Sequence, residues 1–437
     1  MLLLLASFIG LMSQTMIVTA VPVVQAEMRQ PLNLVQWLTT GYTLVLGITT
    51  PLSANLYEKY NNRQLFSGII SLFILGTILG CLAPNFTCLL IARLIQAAAG
   101  GVLISFQMTV LVSIYPPQKR GTIMGLSSLV IAFGPAIGPT LAGFTMHLWG
   151  WRSIFWVVLP FMIFTLLAGW AVMPAFTVAH HLMLDQRSII ELILGPGLFM
   201  AGFSLVSTTP LLACPMLLIE VIVSIAFYQH QQKLTKLLLD FRVFHYWSFS
   251  LMLIAGVFLF MTLLSAEQMV SVFAQNSLHV SSMVAGLILF PGAFLDAITG
   301  MIVGRLYDRI GVNRLAIPGL ILCVVTTLPT LVITAHISLL TLTLLYTGRM
   351  IGIGMAFVPT MSESYRGMRK SDIGQATAMS NALRQIAGAL AVTLVVVISD
   401  VPNNSVMGMR WAMGLTLLFA ILSLAGCLIY ACKKGAH

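Results

Sequence analysis

Long apolar runs follow one another along the chain, and short polar stretches separate them. A hydrocarbon core about 30 Å thick requires roughly 20 residues of α-helix to cross it, and the runs have about that length. They are too long and too continuous for the alternating strands of a membrane barrel. The pattern predicts about fourteen membrane-spanning helices, near residues 2–24, 36–57, 64–84, 87–115, 121–146, 152–174, 189–207, 211–229, 247–273, 282–304, 314–334, 337–362, 372–398 and 408–431.

The composition is that of a chain surrounded mostly by lipid. Of its 437 residues, 59% are hydrophobic and only 8% are charged. The net charge of +10 would indicate a nucleic-acid partner in a soluble protein. Here, however, Lys and Arg concentrate in alternate short loops, a bias that sets orientation in a bilayer. Only Arg29, Arg152 and Arg410 fall in loops on the other side. We therefore expect cytoplasmic termini, an even number of spans and no nucleic-acid partner.

Motifs for catalysis, metal binding or nucleotide hydrolysis do not occur in the sequence. The six cysteines form no CxxC pair, no His stands at metal-ligand spacing, and the pattern GxxxxGK(S/T) is missing. We expect no metal, no cofactor and no enzymatic activity. Energy for any work must then come from an ion gradient.

The two halves of the chain echo each other. LYEKYNNR at residues 56–63 matches LYDRIGVNR at 306–314, and Arg93 and Arg349 each lie in the fourth span of a half. Paired six-helix halves indicate a transporter with its substrate site between them, near the bilayer midplane. The two remaining spans form a hairpin between the halves. The predicted units are residues 1–174, 175–241 and 242–437.

Two carboxylates lie within predicted spans of the second half. Asp296 interrupts an otherwise apolar helix, and Glu267 lies toward the outer third of another. A carboxylate in hydrocarbon costs about 3 kcal/mol or more, so a chain keeps one there mainly to bind, to pair or to carry a proton. We predict Asp296 as the proton-binding acid, with Glu267 second. A structural role for each is the alternative.

Three arginines also lie inside predicted spans. Arg93, Arg349 and Arg384 need partners there, and a carboxylate or the carbonyls at a helix C-terminus are the default. Arg349 and Arg384 could equally contact an anionic substrate. Both interpretations stay open from the sequence.

The fifth predicted span contains GPAIGPTLAG. Gly134 and Gly138 are four residues apart and share a helix face, where a neighbouring backbone can approach closely. Pro135 and Pro139 remove hydrogen-bond donors and bend a helix. We predict a flexing helix, and ordinary helix packing is the alternative.

The loop GRLYDRIGVNR has the composition of a gate. Gly304 would permit close helix contact, Arg305 and Arg309 would hold the cytoplasmic side, and Asp308 could accept from a helix N-terminus or an arginine. In the first half, Glu58 and Arg63 are the matching residues. A solvated turn with surface ion pairs is the alternative.

Taken together, these motifs resemble a known family. GPAIGP, GRLYDRIG, ARLIQ at 92–96, WRSIFWVVLP at 151–160 and IGQATAMSNALRQIAGALAV at 373–392 are similar to motifs of the major facilitator superfamily, specifically its fourteen-helix drug:proton antiporters. The resemblance implies an all-α membrane protein with the major facilitator fold, two six-helix bundles plus an inserted two-helix hairpin. It further implies a bacterial inner-membrane exporter, driven by protons, and a role for Arg93 in proton transfer.

The first helix departs from the pattern of that family. Ser13 stands where an acidic residue is typical, and Val18 where Asn is. Either coupling depends on other acids, or the substrate is not a typical cation. We expect a monomer in the lipid bilayer that exports small amphipathic or cationic drug-like compounds. A narrow-range metabolite transporter and a non-transporting membrane sensor are the alternatives. The candidate residues for the substrate cavity are Ser13, Gln14, Gln275, Arg349 and Arg384.

Overall fold

The computed structural model describes residues 2–114, 117–173, 185–205, 210–233, 241–402 and 404–435, which are helical apart from short connections. Two 3-10 turns cover Phe241–His245 and Leu328–Val332. The α-helices are α1 (Leu2–Met28), α2 (Leu32–Val35), α3 (Trp37–Thr49), α4 (Leu52–Lys59), α5 (Asn62–Cys81), α6 (Phe86–Ile114), α7 (Pro117–Trp149), α8 (Ser153–Val172), α9 (Gln186–Leu205), α10 (Pro210–Gln231), α11 (Trp247–Asn276), α12 (Ser282–Thr327), α13 (Leu339–Ser364), α14 (Lys370–Asp400) and α15 (Ser405–Gly435).

Among the described residues, eleven helical segments are long and apolar enough to cross a membrane. The predicted span 36–57 is divided into α3 and α4, and the short helix α2 precedes it. Between α3 and α4 the backbone dihedrals of Thr50 and Pro51 remain helical. The interruption arises because Pro51 has no N–H to donate to the preceding turn.

α12 contains two of the predicted spans joined end to end. Its helical path bends at Gly311, whose φ is 77° and ψ 172°. This left-handed region is costly for residues with a Cβ, so glycine suits the position. The bend lies inside the predicted gate loop, near the start of the apolar segment Arg309–Val332, which follows the segment Ser282–Tyr307.

Buried apolar side chains form two large clusters. One draws on helices between Leu3 and Met162, and the other on helices between Met252 and Tyr430. A smaller cluster joins α3, α9, α10, α11 and α14 through residues such as Leu44, Leu192 and Phe227. The first and second parts of the chain therefore have separate cores, and α9 and α10 pack beside both.

The two halves meet mainly along three helix pairs, α1 with α11, α7 with α12, and α3 with α14. Toward the predicted outer ends, the Ser271 hydroxyl donates to the Val18 carbonyl over 3.3 Å. The Thr140 hydroxyl donates to the carbonyl of Gly286 over 3.2 Å. These hydrogen bonds join the two halves at that end.

Candidate functional site

Arg93 of α6 is completely buried among helices of the first half. Its guanidinium donates to the Ser13 carbonyl at 3.2 Å, the Leu38 carbonyl at 3.4 Å and the Gln96 amide oxygen at 3.0 Å. A further contact reaches the carbonyl of Gln14 at 3.5 Å. Carbonyl dipoles from α1 and α3 therefore take the place of a counter-ion.

Ser13, the first-helix residue that departs from the pattern of the similar family, contacts Arg93 directly. The Ser13 hydroxyl accepts from Arg93 at 3.4 Å, and the Tyr42 ring lies 4.1 Å from the guanidinium carbon. No ion pair within the described part of the chain includes Arg93. A hydroxyl and an aromatic face stabilise the cation without neutralising it.

Arg349 of α13 has a matching environment in the second half. It donates to the Thr262 carbonyl at 3.1 Å and to the Thr416 hydroxyl at 3.4 Å, and it contacts the Met413 sulfur at 3.6 Å. Like Arg93, it reaches a carbonyl on the first long helix of its half. The predicted correspondence between the two arginines is therefore visible in their contacts.

The two predicted acids come together inside the second half. Glu267 of α11 is 8% exposed, Asp296 of α12 is partly buried, and the two interact electrostatically with each other and with Tyr346 of α13. Gly354 leaves room for Asp296, because a Cβ there would lie 2.8 Å from its carboxylate oxygen. Neither carboxylate has a hydrogen-bond or ion-pair partner in the described ranges.

The α1–α11 contact carries polar residues on one face. Gln275 donates to the Thr19 carbonyl at 3.1 Å, and Gln268 lies two turns earlier with both amide atoms buried and unpartnered. Gln275 also borders an outer hollow of about 510 Å³. Gln268 was not predicted, although Gln268, Ser271 and Gln275 follow one another at spacings of three and four residues, which puts all three on one helix face.

Arg384 of α14 is 3% exposed. Its Nε and Nη2 atoms are buried without a hydrogen-bond partner, and its guanidinium carbon lies 5.3 Å from the Phe357 ring centre. Unlike Arg93 and Arg349, Arg384 therefore has no hydrogen-bond acceptor among the described residues.

The Gly-Pro motif of α7 lies against α1. A Cβ at Gly134 would meet the Phe8 carbonyl at 3.1 Å, and one at Gly138 would meet the Met12 carbonyl at 2.7 Å. Pro139 has no N–H for the Pro135 carbonyl, which instead accepts from Thr15 at 3.3 Å. A neighbouring side chain satisfies the group that proline leaves free. Flexing of α7 stays a prediction.

The residues of the predicted gate lie in varied settings. Arg305 and Arg309 are exposed, and the side chains of Glu58 and Asp308 lie outside the described residues. Arg63 donates to the Trp170 carbonyl near the end of α8, at 2.7 Å.

The close approach expected at Gly304 is not made. A Cβ there would meet Val358 at an ordinary 3.5 Å. The glycine that the loop requires is Gly311, because it supplies the backbone bend.

A carboxylate that sequence reasoning missed lies beside that loop. Glu363 is completely buried at the end of α13 and accepts from Tyr430 at 2.6 Å, Lys434 at 2.7 Å and Arg366 at 3.3 Å. Tyr307, from the gate loop, donates to its second oxygen. Glu363 therefore ties the loop to α13 and α15. Its place at the end of a predicted span was the available signal.

No group of three or more His, Cys, Asp or Glu side chains that could hold a metal ion occurs among the residues described. The chemistry of the site consists of two unpaired acids, buried arginines and interface amides. Two helical halves with ionisable groups inside them define a multi-pass membrane protein of the transporter type.

A sequence model of the Major Facilitator Superfamily matches residues 3–392, and the chain belongs to that family. It is 35% identical over 99% of its length to the MFS-type transporter YcnB of Bacillus subtilis, covering 94% of that protein. The lincomycin resistance protein LmrB of Listeria monocytogenes is 34% identical, with 96% of this chain and 90% of that one covered. The multidrug export protein EmrB of Haemophilus influenzae is 21% identical over 89% and 78% of the two chains.

Among solved structures, the xylose transporter XylE from E. coli, in a partially occluded inward-open conformation, is similar with a TM-score of 0.67. The likeness covers 97% of this chain and 95% of that one at 12% identity, so it shows the fold alone. The predicted family, its drug-efflux branch and an all-helical membrane fold are confirmed. The family and these relatives are transporters and not enzymes.

Proposed function

We propose that this protein is a proton-coupled antiporter that exports small amphipathic or cationic drug-like compounds by alternating access. It lies in the bacterial inner membrane as a monomer with both termini in the cytoplasm. Twelve of its fourteen spans form two six-helix bundles, residues 1–174 and 242–437, and α9 and α10 form the hairpin within 175–241. Relatives named for lincomycin resistance and for multidrug export support the choice of substrates.

The pair Glu267 and Asp296 carries the proposal. Both carboxylates lie within apolar helices, interact with each other, and have no partner among the described residues. An unpaired acid in a low-dielectric setting favours its protonated form, and opening to water lets the proton leave. Proton release on one side and uptake on the other would drive export.

Among the described residues of the first half, no acid contacts Arg93. Ser13 occupies the contact where the family pattern has a carboxylate, so Arg93 is held by carbonyls and Tyr42. We therefore assign proton binding to the second half, and Arg93 to positioning α1 against α3 and α6. This arrangement also favours a second candidate, a narrow-range transporter of a metabolite that is not a cation.

Proton flux in proteoliposomes tests the proposal. Vesicles with an enclosed pH-sensitive dye and an imposed pH gradient receive a panel of amphipathic compounds, which includes the cations lincomycin and ethidium and compounds that carry an acidic group. We expect substrate-dependent proton movement in the wild type and at least about a tenfold loss in Asp296→Asn and Glu267→Gln, because an amide cannot exchange the proton.

Glu220→Gln is the matched control. Glu220 is a mid-span carboxylate of the α10 helix, bonded by Ser224 at 2.8 Å and distant from the acid pair in the fold. Its flux should equal that of the wild type. Unchanged coupling in Asp296→Asn and Glu267→Gln would contradict the assignment, and absence of any flux over a broad substrate panel would favour a sensor.

A further inference from the structure

The three buried arginines differ in how their charge is supported. Arg93 and Arg349 each donate to backbone carbonyls and side-chain acceptors. Arg384 donates to none of the described residues, and two of its nitrogens are sealed from solvent. Because a buried charge is normally paired and hydrogen-bonded, Arg384 is the exception that requires a reason.

The acids of the site do not supply its counter-charge. Glu267 and Asp296 interact with each other and with Tyr346, and Arg384 is not among their partners. Within the described residues, Tyr365 is the titratable group that interacts with Arg384. The Tyr365 hydroxyl is itself buried and unpartnered. The Arg384 guanidinium and the Tyr365 hydroxyl are therefore neighbouring donors that make no hydrogen bond to the described residues.

The residues around Arg384 leave space for its planar guanidinium group and present aromatic side chains to an apolar ligand. On α11, Gly256 has no side chain, and a Cβ there would lie 2.9 Å from the Arg384 Nη2 atom. The Phe357 ring flanks the guanidinium at 5.3 Å, and Phe260 lies 6.2 Å from Phe357 between ring centres. A charged group thus stands beside two aromatic side chains.

The helix that carries Arg384 lies where the halves meet. α14 packs on α3, and a Cβ at Gly47 would touch the Gln385 side chain at 2.7 Å. The Oε1 atom of Gln385 and the hydroxyl of Ser380 are also buried without partners. Unused polar atoms on this segment point to a ligand at the junction of the halves.

We propose that Arg384 binds the anionic group of the transported compound, a carboxylate, sulfonate or phosphate, and that Tyr365 donates to the same group. Phe260 and Phe357 receive the apolar body. This inference rests on the proposed transport function and narrows its substrates to amphipathic compounds that carry an acidic group, zwitterions included. It explains why a first-helix carboxylate, suited to cations, is replaced by Ser13.

Equilibrium binding to the purified full chain in nanodiscs, without a pH gradient, tests the inference. The probes are naphthoate, naphthalenesulfonate and naphthyl phosphate, each compared with its uncharged partner naphthamide, naphthalenesulfonamide or naphthol. We expect the wild type to bind at least one anion about tenfold more tightly than its partner, the size of one charged hydrogen bond. Arg384→Gln should remove this preference.

Two further variants separate charge from shape. Arg384→Lys keeps the charge without the planar fork and should retain part of the preference. Tyr365→Phe should reduce it by a few-fold. Arg410→Gln is the control, because Arg410 binds the Ile333 carbonyl at the predicted outer end and should keep the full preference.

Equal binding of every anion and its uncharged partner by the wild type would overturn the inference. A preference that survives in Arg384→Gln would overturn it as well. Either failure leaves proton coupling through Asp296 untouched, since the binding assay uses no gradient. Conversely, loss of proton flux in Asp296→Asn says nothing about the anion preference.

Discussion

At the residue scale, the buried arginines differ in how many hydrogen-bond acceptors their guanidinium groups reach. Arg93 satisfies acceptors on two other helices, whereas Arg384 satisfies none that the structure describes. Removing a well-bonded buried ion leaves its partners exposed to a low-dielectric interior. Removing an unpaired one relieves a cost.

Thermal unfolding of two apolar replacements makes this difference measurable. Arg93→Met should lower the free energy of unfolding by about 3 kcal/mol, because the carbonyls of Ser13 and Leu38 and the Gln96 amide lose their donor. Arg384→Met should leave it unchanged or raise it by about 1 kcal/mol. Melting curves of the purified variants in one detergent provide the comparison. Equal destabilisation by both would mean that Arg384 is already paired.

The residues that could be predicted were those that stand out locally. A charge within an apolar run is visible in the sequence, so Arg93, Arg349, Asp296 and Glu267 could be named as candidates. Glu363 was missed as a site because its partners Tyr307, Tyr430 and Lys434 lie 56, 67 and 71 residues away. Only the folded chain shows that these groups converge.

At the element scale, helix lengths follow from bilayer thickness and could be predicted closely. The sequence placed spans near 64–84 and 247–273, and the helices cover Asn62–Cys81 and Trp247–Asn276. Interruptions were harder, because the break at Pro51 and the bend at Gly311 depend on a missing donor and a special backbone angle. Neither changes the apolar pattern that defines a span.

The base of the α9–α10 hairpin is fastened by a polar group before α9. Asp185 accepts from His230 at 2.7 Å and from the Ser188 backbone at 3.2 Å. Partial burial alone would raise the pKa of Asp185, but the bonds from Ser188 and His230 outweigh it, and the pKa lies below its usual range. The ionised carboxylate thus stabilises the fold.

Asp185→Asn should therefore loosen the hairpin by about 1 kcal/mol at neutral pH. The contribution of a depressed carboxyl pKa is present above the ordinary value near 4 and is lost as the pH falls through the folded value. Hydrogen exchange of α9 and α10 in the wild type and in Asp185→Asn measures this difference in hairpin stability. The difference should become smaller below about pH 4. A stability difference that does not change with pH would contradict an ionic origin of the stabilisation by Asp185.

At the scale of the whole molecule, the two halves have separate cores and touch mainly along three helix pairs. The repeated loop motif and the matched arginines predicted two halves. They could not show which helices meet across the junction, because that depends on contacts between distant surfaces such as Ser271 with Val18. For the same reason, the sequence could not show that the side-chain amide of Gln268 is buried without a partner.

The central claim is that Glu267 and Asp296 form the proton site of an antiporter, and proton release on substrate binding tests it most directly. Purified protein in a weakly buffered solution near neutral pH receives a transported compound, and a pH indicator counts the protons set free. The account predicts release of about one proton per bound molecule in the wild type and none in the Glu267→Gln, Asp296→Asn double variant. The same release from the double variant would contradict it.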